Sequence, residues 1–236
     1  MVLSALFKAY SILTTVPRTS GLLAKMTTRI GIISDIHSTL APLEQAIDIF
    51  NQHKVDLIIC AGDVAGYGED ELAAVIRTLQ ANNCLTVSGN HDHLPDQLQH
   101  SLHADFITQF FHNLPLHICL TMEGKKIYVV HAQPPNFQHG GIKLLDPEGN
   151  IFPDRLNSWS DTLKDFNYDV LIIGHTHQVF NTTIAGTQVI NPGSTQFNHS
   201  CMILSLPDMQ VETFALSNKE IITTWNWGWV YRENSV

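Results

Sequence analysis

Three short apolar runs alternate with two amphipathic segments in the first third of the chain, and this order restricts the fold more than any other feature. The apolar runs are Arg29–Ser34, Val55–Cys60 and Cys84–Ser88, and each has the length of a buried strand. The segments between them, Leu40–Gln52 and Glu69–Asn82, space their apolar residues as a helix does. Strand, helix, strand, helix, strand at these lengths predicts a parallel sheet joined by right-handed crossovers.

The rest of the chain continues this mixture of strands and helices. It contains no internal repeat, low-complexity tract or linker, so we expect residues 26–236 to form one domain. The C-terminal quarter alternates short strands with turns such as "AGT" and "LPDMQ". The other predicted elements are helices at His100–Asn113 and Asp154–Phe166, two strands within Leu116–Ala132 joined at Glu123–Gly124, a loop at Gln133–Asn150, and a buried strand at Tyr168–Gly174.

The segment 1–25 differs in composition from the remainder of the chain. It has no acidic residue and carries Lys8, Arg18 and Lys25 among small and apolar residues. It is either a targeting peptide or an upstream extension. Because Lys8 interrupts the apolar stretch that a signal peptide needs, and a strand-type sequence begins directly after Met26, we favour Met26 as the start of the protein. No segment of the sequence has the length and hydropathy of a membrane span.

The charge balance excludes a general affinity for long nucleic acid. The formal net charge is −9, and Lys and Arg form no cluster or stripe that would neutralise a phosphate backbone. A small anionic substrate is compatible with this balance where metal ions supply positive charge locally. The four cysteines form no CxxC pair, which is typical of small buried thiols in a reducing compartment and predicts a cytoplasmic protein.

Side chains that commonly bind metals follow five of the predicted strands, at the point where each strand ends. Ligands in open α/β sheets bind beyond the carboxyl ends of the strands, so we expect these side chains to meet at one rim. A single histidine in such a place is usually structural, but five endings of this kind in chain order favour a common site. The residues are Asp35, His37, Asp63, Asn90, His91, Asp92, His93, His131, His175 and His177.

The ordered motifs "DIH", "GDVAGYG", "GNHD", "VVHA" and "GHTH" resemble those of the calcineurin-like metallophosphoesterases, in particular their small bacterial and archaeal phosphodiesterase branch. The resemblance runs from about Arg29 to the strand after Ser194. It implies an α/β fold, namely a four-layer α-β-β-α sandwich with two mixed β-sheets, and a two-metal site at one edge.

The resemblance also implies a set of ligands: Asp35, His37 and His177 for one metal, Asn90, His131 and His175 for the second, and Asp63 as a bridge. A bridging carboxylate is physically reasonable because it places negative charge between two cations about 3.5–4 Å apart. This ligand set suits Mn, Fe, Co, Ni or Zn rather than Ca or Mg. We expect strand alternation to send His175 and His177 to different metals, with Thr176 pointing away.

The mechanism implied by the resemblance is an in-line attack on phosphorus by a hydroxide that bridges the two metals. His91 would stand beside the leaving-group oxygen as proton donor or electrostatic stabiliser, and Asp92 would orient His91. A surface role is the alternative for His91. His93 is expected to be structural or solvent-exposed, because no motif requires it.

Several features leave alternatives open. Tyr67 in "GYG" either lines the substrate side or is an ordinary loop aromatic, and "NPGS" (Asn191–Ser194) either closes the site near the metals or is a tight turn. Ala132 stands where the family usually has glycine after the ligand histidine. Because alanine resists a positive φ, we expect the loop after it to take a different path and to shape a different substrate pocket.

Taken together, these features favour a phosphodiesterase that acts on a small phosphoester, with neither long nucleic acid nor a membrane as partner. One alternative is a phosphomonoesterase or protein phosphatase, although the five scattered arginines form no phosphate clamp. The other is a non-catalytic scaffold of the same fold, although every expected ligand and His91 are present. The "WNWGW" stretch, which begins at Trp225, is either a partner surface or part of a closing edge strand.

Overall fold

The computed structural model describes residues 27–66 and 70–225, so segment 1–25, Tyr67 and the part of "WNWGW" after Trp225 lie outside the described residues. The strands are β1 (Thr28–Ile33), β2 (Leu57–Cys60), β3 (Leu85–Thr86), β4 (His117–Met122), β5 (Lys125–Val130), β6 (Val170–Ile172), β7 (Val179–Ile184), β8 (Thr187–Pro192), β9 (Ser200–Leu206) and β10 (Gln210–Ala215). The α-helices are α1 (Leu40–Gln52), α2 (Leu72–Ala81), α3 (Ala104–His112) and α4 (Pro153–Leu163).

The first sheet has the strand order β10-β9-β1-β2-β3. Strands β1, β2 and β3 are parallel, with Ile30 opposite Leu57 and Ile59 opposite Leu85. Strands β9 and β10 extend this sheet in antiparallel fashion on the other side of β1. The strand–helix–strand–helix–strand prediction is therefore confirmed, and the carboxyl ends of β1, β2 and β3 lie at one edge.

The second sheet has the strand order β4-β5-β6-β8-β7 and also mixes parallel and antiparallel pairs. The turn between β4 and β5 is Glu123–Gly124 and that between β7 and β8 is Ala185–Gly186, as predicted. All four residues have a positive φ, between 48° and 87°. Two-residue hairpins need this conformation because only then does the turn match the twist of the strands.

The two sheets and the helices form four layers, held by three apolar clusters. Side chains alternate along β1, so Ile30 and Ile32 enter the core between the two sheets while Ile33 enters the core beneath α1, α2 and α3. On α1, buried Leu43, Ala46, Ile47 and Phe50 recur every three or four residues and cover that sheet. The third cluster lies between α4 and the second sheet. The predicted four-layer sandwich is confirmed.

The differences from the predictions concern the ends of elements. Helix α2 begins at Leu72 rather than Glu69, and α3 begins at Ala104 rather than His100. Near the end of the described chain, Thr224 forms an isolated bridge with Gln178. Among the helices of the described ranges, none is long and apolar enough to cross a membrane.

Candidate metal centre

Five loops bring the predicted ligands to one edge of the sandwich. The loops after β1, β2 and β3 come from the first sheet, and those after β5 and β6 come from the second. Backbone hydrogen bonds join the loops, for example from Asp35 N–H to the Gly62 carbonyl (2.9 Å) and from Gly174 N–H to the His131 carbonyl (2.8 Å). The seven side chains brought together are Asp35, His37, Asp63, Asn90, His131, His175 and His177.

One group consists of Asp35, His37 and His177, whose ligand atoms all lie within 4.8 Å of one another. Nε2 of His177 is 3.2 Å from Oδ1 of Asp35 and 3.1 Å from Nε2 of His37. The other carboxylate oxygen of Asp35 accepts hydrogen bonds from the Ser34 hydroxyl and from the backbone N–H of His175. This arrangement fixes Oδ1 of Asp35 toward the two imidazoles.

The second group contains Asp63, Asn90, His131 and His175. Oδ1 of Asn90 lies 2.8 Å from Nδ1 of His175 and 3.1 Å from Nε2 of His131, and that same Nε2 is 3.3 Å from Oδ2 of Asp63. Asp63 also lies within 4.8 Å of ligand atoms of His37 and His91. Its carboxylate therefore lies between the two groups, where a bridging ligand would be needed.

The chemistry of these atoms fits cations. Nδ1 of His131 lies 2.7 Å from the Ala61 carbonyl, and Nδ1 of His37 lies 3.2 Å from the Ala65 carbonyl. A carbonyl can only accept, so these contacts place a ring proton on Nδ1 and make Nε2 the atom that a metal would bind. Both Nε2 atoms face oxygen or nitrogen atoms that can bind a proton or a cation. Lone pairs at these distances repel unless a proton or a cation lies between them.

The fold shifts the pKa values of several of these side chains, and two of the imidazoles are left ready to bind a metal. Burial lowers the pKa of His37 and that of His175 to about 4, so both imidazoles are neutral near pH 7 and have lone pairs to offer. Burial opposes the charge of His131, yet the hydrogen bond and negative charge of Asp63 raise its pKa to about 9. Burial likewise disfavours the charged Asp35, but the surrounding histidines lower its pKa.

The backbone at the site differs from the predicted strand alternation. His175 and His177 have φ values of 64° and 48°, and Asp35, His37 and Asp63 are also in the left-handed region. The two imidazoles of "GHTH" do separate, His175 toward Asn90 and His177 toward Asp35, but a strained loop rather than an extended strand separates them. A left-handed backbone is strained at a residue other than glycine and persists only where the surrounding structure holds it. Such residues cluster at functional sites.

Glycines allow the loops to approach this closely. A Cβ on Gly89 would stand 2.1 Å from Oδ1 of Asp63, and one on Gly174 would stand 1.9 Å from the Ser34 hydroxyl. Both distances are far below contact distance. Glycine is therefore required before Asn90 and before His175 for steric reasons alone.

Asp92 holds two of the ligand loops together. Its carboxylate accepts hydrogen bonds from the backbone N–H groups of Asp63, Val64, Ala65 and Gly89 at 2.7–3.0 Å. Burial and the charge of Asp63 raise the pKa of Asp92 to about 6, against the lowering effect of these donors. The orienting action on His91 that the sequence suggests stays a prediction, whereas the contacts of the carboxylate with these loops are direct.

The "NPGS" turn between β8 and β9 supports the site from behind. The Asn191 amide donates to the Gly174 carbonyl and to the Thr176 hydroxyl (both 3.0 Å), and the Ser194 hydroxyl donates to the Asp35 carbonyl (2.6 Å). The segment is thus a turn that also fixes two ligand loops. Thr176 is buried and bonded to Asn191, so the expectation that it merely points away was too simple.

Ala132, the departure from the family pattern, is buried and does not have a positive φ. Its N–H donates to the Phe137 carbonyl (3.1 Å), which folds the following loop back on itself. Glycine is therefore not required at this position, and His131 still lies beside Asn90 and Asp63.

A cleft of about 530 Å³ opens over both groups. His91 lines it and is half-buried, with its ring centroid 5.3 Å from that of His37, whereas His93 is exposed and is not among the lining residues. No sequence motif predicts the other residues that line the cleft, several of which lie in a loop without a recognisable pattern. The lining residues missed in this way include Lys143, Leu145, Asp146, Arg155, Gln178 and Trp225.

Comparison with known proteins decides the family. Residues 28–208 match the model of the calcineurin-like phosphoesterase superfamily domain. The chain belongs to the calcineurin-like phosphoesterase superfamily. Members of this superfamily are metal-dependent phosphoester hydrolases, and the chain is accordingly a metallophosphoesterase.

Relatives of this metallophosphoesterase occur in archaea and bacteria. It is 31% identical to an uncharacterised protein of Methanocaldococcus jannaschii over 183 residues, which cover 70% of this chain and 68% of the relative. It is 27% identical to a phosphodiesterase of the same organism over 169 residues, covering 70% and 82% of the two chains. The fold is similar to that of a hypothetical protein from Pyrococcus horikoshii OT3, with a TM-score of 0.64, 13% identity and coverage of 87% and 92%.

Proposed function

We propose that this metallophosphoesterase is a phosphodiesterase that uses two metal ions to hydrolyse a small phosphoester. The observation that carries the proposal is the convergence of seven ligand-type side chains into two groups that share Asp63, at the base of a cleft lined by His91. The similarity to a named phosphodiesterase of Methanocaldococcus jannaschii supports the diester assignment.

The ligands proposed from the sequence suit the groups found in the fold. Asp35, His37 and His177 would hold one divalent cation, Asn90, His131 and His175 a second, and Asp63 would contact both. When bound, the two cations supply Lewis-acid stabilisation of the phosphoryl oxygens and make water a stronger nucleophile. Mn, Fe, Co, Ni and Zn all suit this donor set.

His91 is the proposed group at the leaving oxygen. Its backbone N–H donates to Oδ1 of Asp63 (2.9 Å), which fixes the start of the loop relative to the bridging carboxylate. The side chain of the preceding residue, Asn90, points toward His175 in the second group, while the His91 imidazole lines the cleft where substrate would lie. A histidine in this position can donate a proton to the departing alkoxide.

The proposal is tested by hydrolysis of bis-p-nitrophenyl phosphate and p-nitrophenyl phosphate with Mn²⁺, Ni²⁺, Zn²⁺ and Mg²⁺ in turn. We expect activity that depends on metal and is higher on the diester. Asn90→Ala is expected to lose metal and activity together. His91→Ala is expected to keep its metal, measured by mass spectrometry of the bound elements, and to lose about 10²–10⁴-fold in kcat. His93→Ala is the matched control and should change neither quantity.

A sharper test of the proton-donor role of His91 varies the acidity of the leaving group. Phenol is a weaker acid than p-nitrophenol, so its departure depends more on a proton donor. His91→Ala should therefore reduce hydrolysis of the phenyl diester by a larger factor than hydrolysis of the p-nitrophenyl diester. Equal losses would argue for electrostatic stabilisation alone. A metal-loaded protein that cleaves neither ester would contradict the proposed activity.

A further inference from the structure

Two cationic side chains line the same cleft as the candidate metal ligands. Lys143 lies in the loop after β5, and Arg155 lies in the first turn of α4. Within residues 27–66 and 70–225, Lys143 makes no hydrogen bond or ion pair, and Arg155 pairs with no carboxylate. Unneutralised cations in one cleft of a chain with a formal net charge of −9 indicate a place for an anion.

Hydrogen bonds connect the segment after Lys143 to the loop that carries His177. Gln178, which directly follows His177, is 4% exposed, and its amide oxygen accepts from the backbone N–H groups of Leu144 (2.8 Å) and Leu145 (3.0 Å). Its amide nitrogen donates to the Leu145 carbonyl, which also accepts from Nη1 of Arg155 (both 3.0 Å). Three hydrogen bonds of one buried side chain therefore hold this segment at a fixed position relative to His177.

The carboxylate that lines the same cleft, Asp146, forms no ion pair with Lys143 or Arg155. Oδ1 of Asp146 accepts from the backbone N–H of Asn150 (2.7 Å), and Oδ2 accepts from the amide of the same residue (3.4 Å). The Asp146 side chain thus closes its own turn. Arg155 is further held by its guanidinium carbon lying 5.2 Å from the centre of the Phe152 ring, which leaves N–H groups available to a ligand.

We infer that Lys143 and Arg155 form a second anion site that selects phosphodiesters carrying a further phosphate away from the scissile one. The inference rests on the proposed phosphodiesterase function. The metal centre would take the scissile phosphate, and the two cations would bind the second phosphate across the cleft. Trp225 lines the same cleft and stacks on Phe197 at 5.4 Å, giving a flat surface for the organic part between the phosphates.

Binding tests the site without turnover. Isothermal titration calorimetry on the Mn²⁺-loaded protein would compare thymidine 3′,5′-bisphosphate with thymidine 5′-monophosphate. We expect the wild type to bind the bisphosphate about tenfold more tightly, the size expected of a charge-assisted contact at a partly exposed site. Lys143→Gln and Arg155→Gln should each remove most of this preference, and Lys143→Arg should keep it. Lys164→Gln, an exposed charge change outside the cleft, should also keep it.

Rates of hydrolysis distinguish the second anion site from the proposed phosphodiesterase activity. The substrates are the p-nitrophenyl ester of thymidine 5′-phosphate and the same ester with an added 3′-phosphate. We expect the added phosphate to raise kcat/KM about tenfold in the wild type, and the two Gln variants to lose that gain while cleaving the simpler ester normally. Equal affinity for the two nucleotides in the wild type, or a preference that survives in both Gln variants, would overturn the second site. Absence of cleavage of both esters, with the binding preference intact, would overturn only the phosphodiesterase activity.

Discussion

His131 shows most clearly how the fold controls the chemistry of this site. It is fully buried, its Nδ1 faces the Ala61 carbonyl, and its Nε2 faces Asp63 and Asn90. In the metal-free protein a proton on Nε2 satisfies these oxygens, which is why the pKa is raised to about 9. A cation that binds to Nε2 has to displace that proton.

A pH dependence of stability is expected from this raised pKa. The folded value of about 9 lies above the ordinary value near 6.5, so the stabilisation is fully present below pH 6.5 and is lost as the pH rises through 9. The loss amounts to about 3 kcal/mol. Urea unfolding of chelator-treated protein between pH 6 and 9.5 would measure it. Burial raises the pKa of the Cys60, Cys84 and Cys201 thiols, so the ionisation of these thiols on unfolding also changes stability at the upper end of this range. The quantity to compare is therefore the difference between wild type and His131→Gln, and parallel curves would contradict the assignment.

At the scale of elements, Asp92 connects the loops after β2 and β3. These loops carry Asp63 and Asn90, and β3 itself has only two residues in the sheet. The four N–H groups that Asp92 accepts would otherwise be partly buried without acceptors. At this edge, where β3 is short, the hydrogen bonds of the Asp92 carboxylate hold the two loops together in place of a longer strand pairing.

Asp92→Asn tests this connection. The substitution keeps the shape but turns an NH₂ group toward two of the backbone donors, so we expect a loss of about 2–4 kcal/mol in the free energy of unfolding. Metal affinity should fall with it, because Asp63 and Asn90 lose their fixed separation. Asp161→Asn, on the exposed side of α4, is the control and should change stability by less than about 0.5 kcal/mol. A variant with normal stability and metal content but a low kcat would instead favour the role in orienting His91.

In the whole molecule, each of the two groups of candidate ligands contains residues from both sheets. Asp35 and His37 follow a strand of the first sheet, and His177 follows a strand of the second. In the other group, Asn90 comes from the first sheet and His131 from the second. A cation held by either group therefore joins the two halves of the sandwich at their common edge.

Metal removal is thus expected to destabilise the entire fold. At a free Mn²⁺ concentration 100 times Kd, binding to one site stabilises the protein by about 2.7 kcal/mol. For a chain of this size that corresponds to a rise of roughly 5–10 °C in Tm. Differential scanning calorimetry with EDTA and with Mn²⁺ would measure the shift. His177→Ala should reduce it and His93→Ala should not; an unchanged Tm in wild-type protein shown to bind Mn²⁺ would contradict the bridging of the sheets.

The order of the elements and the edge at which the site forms follow from local patterns along the chain. Helix α1 was predicted with its observed bounds because Leu43, Ala46, Ile47 and Phe50 repeat at helical spacing, a signal contained within one segment. The ligand-type residues could be found for a similar reason, since each stands directly after an apolar run whose carboxyl end points to the same rim.

Which distant side chains share the cleft depends instead on tertiary contacts. Lys143 and Arg155 belong to a loop and a helix start with no motif, and their position depends on the hydrogen bonds of Gln178, made across more than thirty residues of chain. The direction of the Asp92 carboxylate and the left-handed backbone at His175 likewise arise from contacts between loops of different strands. Periodicity and strand ends are local properties that a sequence displays, whereas contacts between remote segments exist only once the two sheets have packed.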